Sequence, residues 1–150
     1  MQSAFVDCIF LKVKYMSIGI GGFANKIIEN DTSVTYKYGS YNLNISGYDN
    51  IARVSDGKII IDKKCFIKPK IHRKIKKING KKELIEKKPI ISIDYSNMIE
   101  NNLIIVENCT NCWKTYGYKQ TDICALNLIN KILHNYQINE QYPETISFDK

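Results

Sequence analysis

The chain reads as an α+β fold: a mostly antiparallel β-sheet, one C-terminal helix packed on it, and a basic β-hairpin protruding from the middle. Three observations predict this. Apolar and polar residues alternate between Ser33 and Phe66, one run after Thr121 repeats at helical spacing, and 12 of the 22 Lys and Arg residues fall between Lys63 and Lys88. With 150 residues, 44% of them hydrophobic, the chain suits a single domain (1–150) that buries its own core. The basic hairpin segment 63–88 then separates a β-meander, 1–62, from a β/α part, 89–150.

Ala4 to Tyr15 is apolar on both parities, with Phe5, Ile9, Leu11 and Val13 on one face and Val6, Cys8 and Phe10 on the other. That is the pattern of a central strand covered on both sides. The stretch has no basic leader and is broken by Asp7, Lys12 and Lys14, so it fits neither a signal peptide nor a membrane span. A cytoplasmic protein with reduced thiols and no membrane partner is expected. Ser17 to Gly22 is half of a phosphate-binding loop at most, with Phe23 to Asn30 as its short helix. The third glycine is missing, and a bulged or bent strand is the better reading.

Val34, Tyr36 and Tyr38 alternate with polar residues, as do Tyr41, Leu43 and Ile45. Gly39-Ser40 between them matches a two-residue type II′ turn, which would set Tyr38 opposite Tyr41, Tyr36 opposite Leu43 and Val34 opposite Ile45. Asp56-Gly57 suits a type I′ turn pairing Val54 with Ile59 and Ala52 with Ile61. Residues 33–66 thus predict a four-stranded meander.

The basic segment has its own turn signal, Asn79-Gly80. As a hairpin it sets Lys76 opposite Glu83, Ile75 opposite Leu84 and Arg73 opposite Glu86, so both acids meet bases. The competing reading is a short helix carrying Ile71, Ile75 and Ile78 at helical spacing. Pro69 limits it to about two and a half turns. It also leaves the charge pattern of residues 81–88 unexplained, and the hairpin is favoured.

After Pro89, Ile90 to Tyr95 and Leu103 to Val106 read as a strand pair joined by Ser96 to Asn102. From Thr121, the candidate N-cap, the helix carries Ile123, Leu126, Ile129, Ile132, Leu133 and Tyr136 as its apolar stripe. The tail around Tyr142-Pro143-Glu144 reads as irregular.

Charge gives the strongest functional signal. The segment 63–88 holds 12 bases and two acids, Glu83 and Glu86, inside a chain whose net charge is only +7, so everything else is acidic on balance. A chain rich in Lys, Asn and Ile suits AT-rich codons, but codon bias does not explain why acids avoid this stretch. Charge held in one segment points to an anionic partner. The candidate contacts are Lys68, Lys70, Arg73, Lys74, Lys76, Lys77, Lys81 and Lys82. RNA or DNA bound without sequence preference is the simplest partner, with meander tyrosines as stacking platforms. Arg53 and Arg73 are the only arginines, and bidentate base reading uses that side chain, which argues against sequence specificity. The alternative is an inhibitor or immunity-type protein of a virus or mobile element, whose lysines meet an acidic protein surface.

A second alternative is a small zinc-stabilised domain. Cys109-x-x-Cys112 has the spacing of a zinc half-site that Cys124 and His134, or Cys65, could complete. Thiols packed in the core explain the same residues. No other cofactor is implied, and no local motif marks an enzyme. Asp94 stands out among the carboxylates by lying in an apolar run, and a local backbone bond explains it more simply.

Overall fold

The computed structural model describes residues 19–44, 54–69, 71–87, 89, 91–117 and 119–149. The expected strand at Ala4–Tyr15 and the pairings of Ile45 and Ala52 lie outside them. The main sheet is antiparallel and five-stranded, in the order β6-β3-β2-β1-β9. Its centre is the meander β1 (Ile20–Glu29), β2 (Ser33–Asn42) and β3 (Gly57–Asp62), flanked by β6 (Ile104–Glu107) and β9 (Thr145–Asp149). β1 is the bulged strand, irregular between Lys26 and Ile28, and no helix forms between Phe23 and Asn30. Asn30 Oδ1 then accepts from Thr32 N (2.9 Å) and Ser33 N (2.8 Å), turning the chain into β2.

β2 runs straight through Gly39-Ser40, which pair with Phe23 and Gly22, so the expected type II′ hairpin does not form. Tyr38 faces Ala24 and Gly57, Tyr36 faces Lys26 and Ile59, and Val34 faces Ile61. Asp56-Gly57 is no turn either: Gly57 opens β3, and Ile59 pairs with Val106 on its other side. Both glycines answer to space and not to turn geometry. A Cβ on Gly39 would overlap the Val54 carbonyl oxygen, and one on Gly57 would overlap the Tyr38 ring. Because β2 never reverses, period-two alternation sends Tyr41 to the face opposite Val34, Tyr36 and Tyr38.

Helix α2 (Ile123–Asn139) packs on the face that carries Val34, Tyr36, Tyr38, Ile59, Ile61 and Ile104. Leu128, Ile129, Ile132 and Leu133 are its fully buried residues, each worth roughly 2 kcal/mol of apolar burial. Ile123 and Leu126, expected in the stripe, are half-buried, while Cys124 and Ala125 are buried. The N-cap is Asp122, one residue later than expected, with its side chain accepting from Cys124 N. Thr121 instead pairs with Tyr116 in a two-stranded ribbon of β7 (Thr115–Tyr116) and β8 (Thr121–Asp122).

Two further expectations fail. Residues 91–94 form no strand, and Tyr95–Glu100 is a short helix, α1, capped by Asp94, which accepts from Asn97 N at 3.1 Å. The tail is not irregular but forms β9, whose Ile146 and Phe148 lie on the helix side opposite Ala24 and Gly22.

Candidate anionic-partner interface

The basic segment divides in two. Lys63–Cys65 is a 3-10 turn, Cys65 and Phe66 join the core, and Phe66 meets Tyr136 and Tyr142 at 5.1 and 4.7 Å between ring centroids. Lys63 lies over the Tyr142 ring, its Nζ 5.4 Å from the centroid. Lys63, Cys65 and Phe66 anchor the segment, while Lys64 is exposed. The hairpin proper is β4 (His72–Ile78) and β5 (Lys81–Lys87) around Asn79-Gly80. Positive φ at Asn79 (53°) and Gly80 (79°) is what a type I′ turn needs.

The register follows from that turn: Lys76 opposite Glu83, Ile75 opposite Leu84 and Arg73 opposite Glu86. Among the described residues β4 and β5 pair only with each other, and every residue from His72 to Lys87 is exposed except the half-buried Ile85. The seven-residue strands make a ribbon about 24 Å long. Its base is held on both sides by neighbouring residues of α2. Phe66 packs on Tyr136, and Gln137 bonds the Ile91 backbone twice, accepting from Ile91 N (2.8 Å) and donating to Ile91 O (3.0 Å). Masses of apolar contact are thus absent along the ribbon but present at its root.

Between His72 and Lys87 the ribbon carries seven bases and two acids. Arg73 is engaged, its Nε 3.0 Å from Glu86 Oε1. Among the described residues, Lys74, Lys76, Lys77, Lys81, Lys82 and Lys87 form no ion pair. Paired residues share a face, so Lys74, Lys76, Lys81 and Lys87 lie on one side with His72, Ile78, Glu83 and Ile85. The other side carries Arg73–Glu86, Ile75–Leu84 and Lys77–Lys82. Lys68 is exposed on the stem, and Lys70 lies outside the described residues. Tyr36 and Tyr38 offer no stacking platform, since both are fully buried, with Tyr36 Oη donating to Pro143 O at 2.7 Å, whereas Tyr41 is half-buried.

The cysteines occupy a different region. Cys109 to Cys112 is a turn closed by Cys112 N donating to Cys109 O at 3.1 Å. Cys109 is buried beside Ser40 (Sγ to Oγ, 3.2 Å) and Asp122 (Sγ to Oδ2, 3.5 Å). Cys124 opens α2, and His134 stands ten residues on, about 15 Å along the helix axis, so the two do not share a site. Cys65 is elsewhere, at the 3-10 turn. Among the described residues, no three His, Cys, Asp or Glu side chains group as a metal would require. Burial and then the Asp122 charge push Cys112 up to about 11 and Cys124 up to about 12.

What sequence reading missed is the buried cluster around Asp122. Its Oδ1 accepts from Cys124 N (2.9 Å), and its Oδ2 accepts from Tyr38 Oη (3.0 Å) and Ser40 Oγ (3.4 Å). Tyr38 Oη accepts from Cys109 N at 3.0 Å. With Tyr38, Ser40 and Asp122 sealed from solvent, the cluster ties α2 and the 109–112 loop to β2 and leaves no room for a substrate. A cavity of about 430 Å³ between α1, the β7–β8 ribbon and α2 is lined by Ser96, Glu100, Tyr116, Lys119, Thr121 and Leu126 among others. No helix among the described residues is long and apolar enough to cross a membrane. No family model, curated protein or solved structure matches this chain.

Proposed function

We propose that this is a small non-enzymatic binding protein whose lysine ribbon grips nucleic acid without sequence preference. One observation carries the reading: six ammonium groups on an exposed two-stranded ribbon, none neutralised by a carboxylate among the described residues. Concentrating like charge this way costs the fold self-repulsion. Lysines on one face of a strand stand about 7 Å apart, two 3.4 Å rises of a nucleic-acid strand. The roles follow from position. Lys74, Lys76, Lys77, Lys81 and Lys82 meet phosphates, Lys68 adds charge at the stem, and Arg73 is held in reserve by Glu86.

The test is retention of the full chain on heparin and on an immobilised mixed oligonucleotide, followed by elution with salt. Steeply salt-dependent binding is expected, and reversal of Lys74, Lys76 and Lys77 to Glu should abolish it while the circular dichroism spectrum stays unchanged. Absence of binding at about 0.1 M salt, where electrostatic contacts still operate, would remove the reading and leave an acidic protein surface as the partner to seek.

A further inference from the structure

We infer that the partner is duplex DNA of B form, entered by the ribbon through the major groove. This rests on the binding role proposed above and sharpens it. Four features of the ribbon separate duplex DNA from the other polyanions.

First, single-stranded nucleic acid is held by aromatic side chains that stack on unpaired bases, and residues 72–87 contain no Phe, Tyr or Trp. Tyr36 and Tyr38 cannot substitute, being buried under α2. Second, the B-form major groove, about 12 Å wide, admits a two-stranded ribbon, whereas the deep, narrow major groove of an RNA helix does not. A ribbon packed on by a third element would be too thick. Among the described residues this one pairs with nothing else, which gives it the required cross-section. Third, because the sheet has only two strands among the described residues, each has an outer edge whose backbone N–H groups are unpaired there and can donate to the phosphates lining the groove. Fourth, Ile75 and Leu84 sit directly opposite each other, 67% and 62% exposed, flanked by Lys77 and Lys82 on the tip side of the same face. An apolar pair in that position has an occupant on a groove floor, the thymine methyl group, and none on a bare phosphate backbone.

The experiment is a comparison of probes against the full chain by fluorescence anisotropy. The probes are a mixed-sequence DNA duplex, one of its strands, an RNA duplex of the same sequence, and vesicles of anionic phospholipid. Each neutralised phosphate contributes about 0.9 to the logarithmic salt slope on B-DNA and about 0.7 on a single strand, so six contacts favour the duplex about fifteenfold at 0.1 M relative to 1 M salt. The protein should also protect guanine N7, a major-groove atom, from dimethyl sulfate, and an Ile75→Ser/Leu84→Ser variant should lose that protection. Both side chains are exposed, so the variant tests contact and not folding. Equal or tighter binding to the single strand, the RNA duplex or the vesicles overturns groove entry while leaving the binding role intact. Unprotected N7 in a bound duplex overturns it as well. Failure to bind any nucleic-acid probe overturns the binding role itself.

Discussion

Replacing Glu86 with Gln should strengthen nucleic-acid binding, an outcome that a merely solvated hairpin does not produce. Glu86 Oε1 lies 3.0 Å from Arg73 Nε, and both side chains are more than half exposed. An ion pair so exposed contributes little to folding, so its loss leaves the hairpin standing. What changes is the charge available to a partner: the ribbon goes from two acids to one, and the Arg73 guanidinium is released. One additional phosphate contact raises the salt slope by about 0.9, and relative to 1 M salt that is about an eightfold gain in affinity at 0.1 M. The assay is anisotropy of a labelled duplex across a range of salt, with Glu100→Gln on α1 as a control that alters net charge equally away from the ribbon. The gain should be confined to Glu86→Gln. No gain, or the same gain from Glu100→Gln, would refute the reasoning.

Two predictions concern the fold that presents the ribbon. Gly39→Ala must displace the Val54 carbonyl and crowd Phe23, at a cost of about 3 kcal/mol and a drop in Tm of about 9 °C. Gly80→Ala, with open space around its Cβ site and strain only from φ +79°, costs about 1–2 kcal/mol and should lower Tm by about 3–6 °C, and equal shifts would show that Gly39 is a turn residue after all. Stability should also depend on alkaline pH. Burial foremost raises Cys65 and Cys112 to about 11 and Cys124 to about 12, against 9.0 for an ordinary thiol. The folded chain therefore keeps protons that the unfolded chain releases, so stability holds up to about pH 9 and falls as pH rises toward 12. A Tm that stays level or rises between pH 9 and 11 would contradict this.

The ribbon was legible because everything that specifies it is local. Asn79-Gly80 fixes a two-residue turn, the turn fixes the register, and the register matches Arg73 with Glu86 and Lys76 with Glu83. α2 was legible from its period, with the cap displaced from Thr121 to Asp122 and with Ile123 and Leu126 of the expected stripe only half-buried. Gly39 and Gly57 were misread because a glycine signal is ambiguous. It marks either backbone that needs positive φ or a place where no Cβ fits, and the second is decided by Val54 and by the Tyr38 ring arriving from other strands. Residues 91–94 look strand-like in isolation, but Asp94 caps a helix there and Gln137, distant in sequence, takes up the Ile91 backbone. The tail strand hid behind Pro143, although Ile146 and Phe148 do alternate with Thr145, Ser147 and Asp149. Within the cysteine set, periodicity could place Cys124 and His134 on one helix but could not show that the Cys109 thiol turns inward to Ser40 and Asp122.

The salt dependence of duplex binding by the native chain and by a Lys74→Gln/Lys76→Gln/Lys77→Gln variant tests the central claim most directly. Six lysines free of ion pairs among the described residues predict a logarithmic slope of about −5 for the native chain, and the three that remain predict about −3. Tm should agree within about 2 °C, since all three substituted side chains are exposed. A native slope near zero, or a variant slope equal to the native one, would contradict the assignment of this ribbon to a polyanion.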